Sequence, residues 1–214
     1  MDSYHHGSLR QALIDATESL LADEGPEGFS LREVARRAGV SPAAPAHHFG
    51  DASGLLTAVA TIGFDGLAGA LREGEARGGA DPRRRLREQG IAYVAFAMRF
   101  PGRFRLMFRD ALRVDDPDLQ RAGNDAFGVL EDGVRAAFAI PPGRPLGDKA
   151  WTALLALWSA VHGYAHLTIA GRLDPCAGPA GREAFVASTL RPVLDSVVRG
   201  SVPAKAPRGP ASRR

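Results

Sequence analysis

Only Gly39, Val40 and Ser41 separate two short segments with helical patterning, and so small a gap leaves room for little but a folded pair of helices. In the first segment Leu31, Val34, Ala35 and Ala38 fall on one face, with Arg32, Arg36 and Arg37 on the others. Ser30 stands at an N-cap and Glu33 three residues on, the spacing of a capping box, with Phe29 and Val34 at the flanking staple positions. Gly39 follows the last periodic residue and suits the left-handed conformation that ends a helix. Val40 is expected as a buried plug in the turn. Ser41 is expected to cap the second helix with Pro42 at its first position, where a missing N–H does no harm. His47, His48 and Phe49 finish that helix before Gly50. On this numbering Pro45 is the fourth helical residue, where it deletes a hydrogen bond to Ser41 and tilts the first turn.

Such a pair is a helix-turn-helix, which places the end of a short second helix in the major groove of DNA. Ala43, Ala44 and Ala46 allow close approach of the backbone, and His47 and His48 reach phosphates or base edges. The candidate DNA contacts are Ser30, Arg32, Arg36, Arg37, Ser41, Ala43, Ala44, Pro45, Ala46, His47 and His48. A plain helical hairpin in an all-α core carries the same pattern, so the spacing alone does not decide between them.

The run from the N-terminus to about Ala60 resembles the TetR family of transcriptional regulators. It has Leu9 to Ala16 as first helix, Glu24-Gly25 before a loop, then Phe29 to Phe49, Gly50-Asp51 and Leu55-Leu56. Tyr4-His5-His6-Gly7 and the later Trp158, His162 and Gly163 resemble a subgroup whose C-terminal domain carries a Trp-His-Gly signature. The resemblance implies a homodimeric repressor, with an N-terminal three-helix domain on double-stranded DNA and a larger helical domain that binds a small molecule and dimerises. Ligand binding then changes the spacing of the two recognition helices and releases a palindromic operator. The family commonly has an aromatic, usually Tyr, where this chain has Ala46, and Lys where it has Ala52. Both losses remove backbone contacts, which supply much of the affinity. An effector-binding protein whose DNA function has decayed is therefore the main rival.

Charge is awkward for a DNA-binding protein. The 214 residues carry a formal +3, yet residues 1–50 hold four arginines against seven acids, a formal −3. The positive excess lies at Arg83–Arg87, along Arg99–Arg113 and after Arg199. The basic patch must be local, built from Arg32, Arg36 and Arg37 with the helix N-termini. The single cysteine, Cys176, excludes an internal disulfide and suits a reducing cytoplasm, the expected location. The N-terminus carries no secretory pattern, and no window approaches the ~20 apolar residues of a membrane span. His5 and His6 are either a flexible arm near DNA or part of a solvated terminus.

The chain reads as all-α, with about nine helices and no period-two alternation. Helix one runs from about Ser8, where Ser8 and Gln11 fit a capping box, to Asp23. A fourth helix, Asp51 to about Ala76, contains Gly63, Gly66 and Gly69, which serve as a hinge or admit close packing. Asp116 is placed to cap a seventh helix, and the eighth spans about Gly147 to Gly171. The expected division is 1–50 for DNA binding, 51–199 for ligand binding and dimerisation, and 200–214 as a disordered basic tail. Tyr93, Phe96, Phe104, Met107, Phe108, Trp158, His162 and His166 are the candidate ligand-binding residues, since pockets are mostly apolar with a few polar groups. His162 and His166 also have the i, i+4 spacing of metal ligands, which keeps a helical metal-dependent hydrolase as a second rival. No acid or cysteine stands near them, and no nucleophile elbow or phosphate loop occurs. Neither a metal, a cofactor nor an enzymatic activity is expected.

Overall fold

The computed structural model describes residues 3–110 and 112–204. The described elements are helices α1 (Ser3–Glu24), α2 (Leu31–Arg37), α3 (Ala44–Phe49), α4 (Ala52–Arg77), α5 (Pro82–Arg99), α6 (Pro101–Met107), α7 (Pro117–Phe138), α8 (Asp148–Ile169), α9 (Asp174–Ala177) and α10 (Gly181–Ser201). Short 3-10 turns lie at Pro26–Gly28 and Gly178–Ala180, and no strand occurs among the described residues. The fold is all-α, as the periodicity indicates. Two compact units result: Met1–Gly66 with Phe100–Asp125, and Leu67–Arg99 with Ala126–Arg214.

The first unit is built on the apolar stripe of α1. Leu13, Leu20 and Leu21 are fully buried with Val34 of α2, Leu55 and Val59 of α4, and Leu106 of α6. Each such side chain contributes about 1.5–3 kcal/mol relative to exposure. Leu112 and Leu119 complete the same core. The packing therefore does not divide at residue 50: the start of α4 and the segment 100–125 join the three N-terminal helices, because α1 to α3 alone leave that core open. Helix α1 also begins five residues before Ser8, so Ser8 does not start it.

At α2 the cap differs from the capping-box reading. Ser30 has extended backbone, φ −147° and ψ 127°, but its side chain makes no capping bond. The Glu33 carboxylate turns instead to Arg36 and Arg37. The C-terminal end follows expectation: Gly39 has φ +69°, Val40 N–H bonds Ala35 O at 3.0 Å and Gly39 N–H bonds Arg36 O at 3.2 Å. That is a Schellman closure, which consumes two carbonyls that would otherwise be orphaned. Val40 is half-buried against the core.

Ser41 and Pro42 form a turn rather than the cap and first residue of α3. The Ala44 N–H bonds Ser41 O at 3.0 Å and the helix proper starts at Ala44, with Ala43 at its cap. Pro45 thus occupies the second helical position, where its missing N–H would have no intrahelical acceptor. It is buried and deletes no intrahelical bond there. Asp51 caps α4, its Oδ1 accepting the Gly54 N–H at 2.8 Å. Within α4 a Cβ on Gly63 would sit 2.7 Å from Met107 Sδ, so this glycine admits close helix packing. Contrary to expectation α4 is long and apolar enough to cross a membrane by length and composition, with mean hydropathy 1.5 over an 18-residue window. Half of that window is buried inside the fold, as for a core helix.

In the second unit α5, α8 and α10 pack on one another over Leu86, Ala153, Leu154, Leu157 and Val198, with Val134 of α7 in the same core. Arg87 holds Asp195 at 2.8 Å, and the buried Glu88 takes Arg191 at 3.0 Å. Asp116 caps α7 as expected, its Oδ1 accepting the Leu119 N–H at 2.9 Å. The chain stays folded beyond residue 199. Helix α10 ends at Ser201, Val202 is buried and Arg83 donates to its carbonyl. The rest of the proposed tail, 205–214, lies outside the described residues.

Candidate nucleic-acid interface

The face that α3 offers follows from its capping turn. Pro45 and Phe49 anchor it on the core, which leaves Ser41, Ala43, Ala46 and His47 exposed and Ala44 and His48 half-buried. Every residue from Ser41 to Ala46 is alanine, proline or serine, and no carboxylate follows before Asp51. Little stands between this backbone and a duplex edge. The His47 and His48 rings meet edge-on with centroids 5.5 Å apart. Arg10 of α1 lies 5.3 Å over the Phe49 ring, a cation beside the end of α3 that helical patterning does not single out.

The three arginines of α2 do different things. Arg32 is exposed, as is Ser30 at the head of the helix. Arg36 is 72% exposed while forking onto Glu33 through Nε at 2.7 Å and Nη2 at 2.6 Å. Arg37 is turned inward and only 19% exposed. It binds Asp23 at 2.6 Å, Glu24 at 2.7 Å, Glu33 at 3.0 Å and the Ser19 hydroxyl at 3.2 Å. The guanidinium groups of Arg36 and Arg37 hold the Glu33 carboxyl well below its usual range, at about 2. Asp23, Glu24 and Glu33 are three of the seven acids of residues 1–50. All three are spent on Arg37, at the α1–α2 junction rather than on α3.

Three of the arginines between 99 and 113 are likewise internal fasteners. Arg103 pairs with Glu18, Arg109 with Glu27 at 3.0 Å and Arg113 with Asp51 at 2.8 Å. They tie the segment 100–113 to α1, to the 3-10 turn and to the α3–α4 turn in order. Nothing near Asp51 in the sequence points to Arg113, 62 residues on.

The eight candidate ligand-binding residues divide between the units. Phe104 and Met107 are buried and Phe108 half-buried in the first, where Phe108 meets Phe104 at 5.2 Å and Phe64 at 5.6 Å. Tyr93, Phe96, Trp158, His162 and His166 lie in the second. There the Tyr93 hydroxyl and His162 Nδ1 are 2.8 Å apart, and the His162 and His166 rings 4.4 Å apart. Phe127 of α7, not singled out from the sequence, packs on Trp158 at 5.6 Å. Burial, then His166, pushes the His162 pKa down, and burial pushes Tyr93 up. No group of three or more metal-ligating side chains occurs among the described residues. A separate groove of about 270 Å³ between α5 and α10 is lined by Ile91, Val94, Met98, Val186 and Leu190, none of them among the eight candidate ligand-binding residues.

A capped helix-turn-helix with its second helix exposed, on a chain that is otherwise all-α, defines a helix-turn-helix regulator. Residues 13–59 match the family described as "Bacterial regulatory proteins, tetR family", and residues 86–193 the one described as "Tetracyclin repressor-like, C-terminal domain". The chain belongs to the tetR family. The HTH-type transcriptional regulator BetI of Rhizobium meliloti is 44% identical over 64 residues, a stretch that spans 30% of this chain and 30% of that relative. The uncharacterized HTH-type transcriptional regulator Rv0681 of Mycobacterium tuberculosis is 25% identical over 170 residues, 77% of this chain and 72% of its own. Among solved structures, a protein of unknown function from Rhodococcus sp. RHA1 is 33% identical with TM-score 0.73, covering 95% of this chain and 100% of that one. The TetR family transcriptional regulator PfmR of Thermus thermophilus shares the fold, at TM-score 0.63 and 20% identity over 87% of this chain and 97% of its own.

Proposed function

We propose that the chain is a ligand-responsive transcriptional repressor, located in the cytoplasm, that binds a palindromic operator as a homodimer. The observation that carries this reading is the exposure of Ser41, Ala43, Ala46 and His47 on a helix whose other side is anchored by Pro45 and Phe49. Ser41, Ala43, Ala44, Ala46, His47 and His48 face base edges and the neighbouring backbone, while Ser30, Arg32 and Arg36 take phosphates. Arg37 is reassigned. Bound to three carboxylates, it fastens α2 to α1 and contributes shape rather than contact.

Small-molecule recognition is assigned to Tyr93, Phe96, Trp158, His162 and His166, with Phe127 beside them. The aromatic walls and the tyrosine–histidine pair match the usual makeup of a ligand site, an apolar lining with few polar groups. Phe104, Met107 and Phe108 serve the core of the DNA-binding unit. Dimerisation is assigned to α8 and α10, where Trp151, Leu155, Leu167 and Val193 are exposed apolar residues. No catalytic role is assigned to any residue.

Binding of the purified full chain to duplex from its own promoter region, across a salt series, tests this function. Affinity falls as salt rises if phosphates supply the binding. Absence of any shift at low salt favours the rival with decayed DNA binding, for which exposed Ala46 is the specific reason.

A further inference from the structure

We infer that Arg113, far outside the helix-turn-helix in sequence, is a positioning residue for the recognition helix and acts through the carboxylate of Asp51. The inference rests on the DNA-binding reading above. Helix α3 has six residues, too few to hold a direction on their own. Its exit is a single residue, Gly50, with φ +81°, followed at once by Asp51. What fixes the angle between α3 and α4 must therefore lie at that turn.

Asp51 Oδ1 does two things there. It accepts the Gly54 N–H at 2.8 Å, which starts α4, and it accepts Arg113 Nη2 at 2.8 Å. The Arg113 backbone N–H donates to Thr57 Oγ1 at 3.0 Å, one turn further along α4, and Thr57 is buried. Arg113 is thus held at both ends against the first two turns of the helix that follows α3. A Cβ on Gly54 would overlap the Phe49 carbonyl oxygen and stand 3.2 Å from Arg113 Nη2, so the end of α3, the start of α4 and the guanidinium meet at one point. The stretch carrying Arg113 is itself anchored by buried Leu112 and by Arg109 on Glu27. A direct phosphate contact is the other role open to an exposed arginine. The salt slope of binding separates that role from positioning.

The test compares full-chain wild type with Arg113→Ala, Arg113→Lys, Asp51→Asn, the double variant Arg113→Ala/Asp51→Asn and the control Arg135→Ala, which removes an ion pair within α7. Each is titrated with promoter-region duplex and with random duplex of equal length over a salt series, and each is checked for its melting temperature. The positioning role predicts that Arg113→Ala and Asp51→Asn each weaken promoter binding about tenfold, that the double variant is no worse than either, and that the salt slope is unchanged. Random duplex is bound as by wild type to within about twofold, since phosphate contacts carry that affinity. Arg113→Lys, which keeps the charge beside Asp51, recovers most of the loss even if Arg113→Ala folds poorly. Arg135→Ala leaves promoter affinity unchanged. Three results overturn the inference: no loss in Arg113→Ala, tighter binding in Asp51→Asn, or equal losses on both duplexes with a salt slope lower by about one, the mark of a phosphate contact. Failure of the wild type to bind any duplex overturns the DNA-binding reading instead, and is distinct from all three.

Discussion

The Tyr93 hydroxyl and His162 Nδ1 meet at 2.8 Å between α5 and α8. Burial pushes the phenol's pKa up, so the hydroxyl stays protonated beside the ring, and the tautomer of His162 sets which of the two atoms donates. Burial and the neighbouring His166 both oppose a charge on that ring.

Stability should therefore fall with acid in a defined window. The folded pKa of His162 lies below its unfolded value of 6.5, so the unfolded chain binds more protons as pH drops below 6.5. The stabilisation is present above pH 6.5 and is lost as pH falls through the lowered value. His162→Gln should flatten the pH dependence of the melting temperature between pH 7 and 5. An unchanged profile would show that the ring titrates as if exposed.

The two arginines at the end of α2 should separate cleanly. Arg37→Ala leaves Asp23, Glu24 and Glu33 without their shared cation and should lower the melting temperature by a few degrees. Arg36→Ala, at an exposed site, should leave the melting temperature near that of wild type while weakening all duplexes alike and lowering the salt slope by about one. Thermal melts and salt-dependent titrations of the two variants check both halves. Equal effects of the two substitutions on DNA would undo the division of labour.

Much of this geometry is legible in the sequence and some is not, for local reasons. Gly39 and Asp116 announce their roles because a left-handed terminator and an N-cap need only their own few residues. Glu33 misleads because two arginines within four positions outcompete a backbone N–H for its carboxylate. Ser41 and Pro42 mislead because a cap-like pair can equally form the turn before a helix. Arg37 and Arg113 are invisible to periodicity, since their partners stand 14 and 62 residues away and only the packing of α1, α4 and α6 brings them near. The same holds for Phe127 on Trp158.

Gly54→Ala should be among the costliest substitutions in the DNA-binding unit. The added methyl meets the backbone oxygen of Phe49, which cannot rotate away, so the α3–α4 turn must open. Overpacking against backbone costs about 1–3 kcal/mol or more, visible as a lower urea midpoint. Gly69→Ala, where a Cβ meets nothing within 4 Å, serves as control and should be neutral or stabilising. A Gly54→Ala protein as stable as wild type would mean the turn is looser than described.

Leu167 on α8 is 47% exposed, an apolar side chain on the face assigned to the second subunit. Leu167→Glu should convert the dimer to monomer in sedimentation while leaving the helical content of each chain intact, because nothing buried in the single chain is disturbed. A dimer that survives this change and Leu155→Glu would place the contact elsewhere.

The most direct measurement is selection of bound sequences from a random duplex library by the full chain, run in parallel with His47→Ala. If the exposed side of α3 reads base edges, wild type enriches a palindrome, and His47→Ala keeps the overall motif but loses preference at one symmetric pair of positions. Enrichment of no sequence over the starting pool, or an identical motif from both proteins with the same information at every position, would contradict the assignment of that helix to the groove.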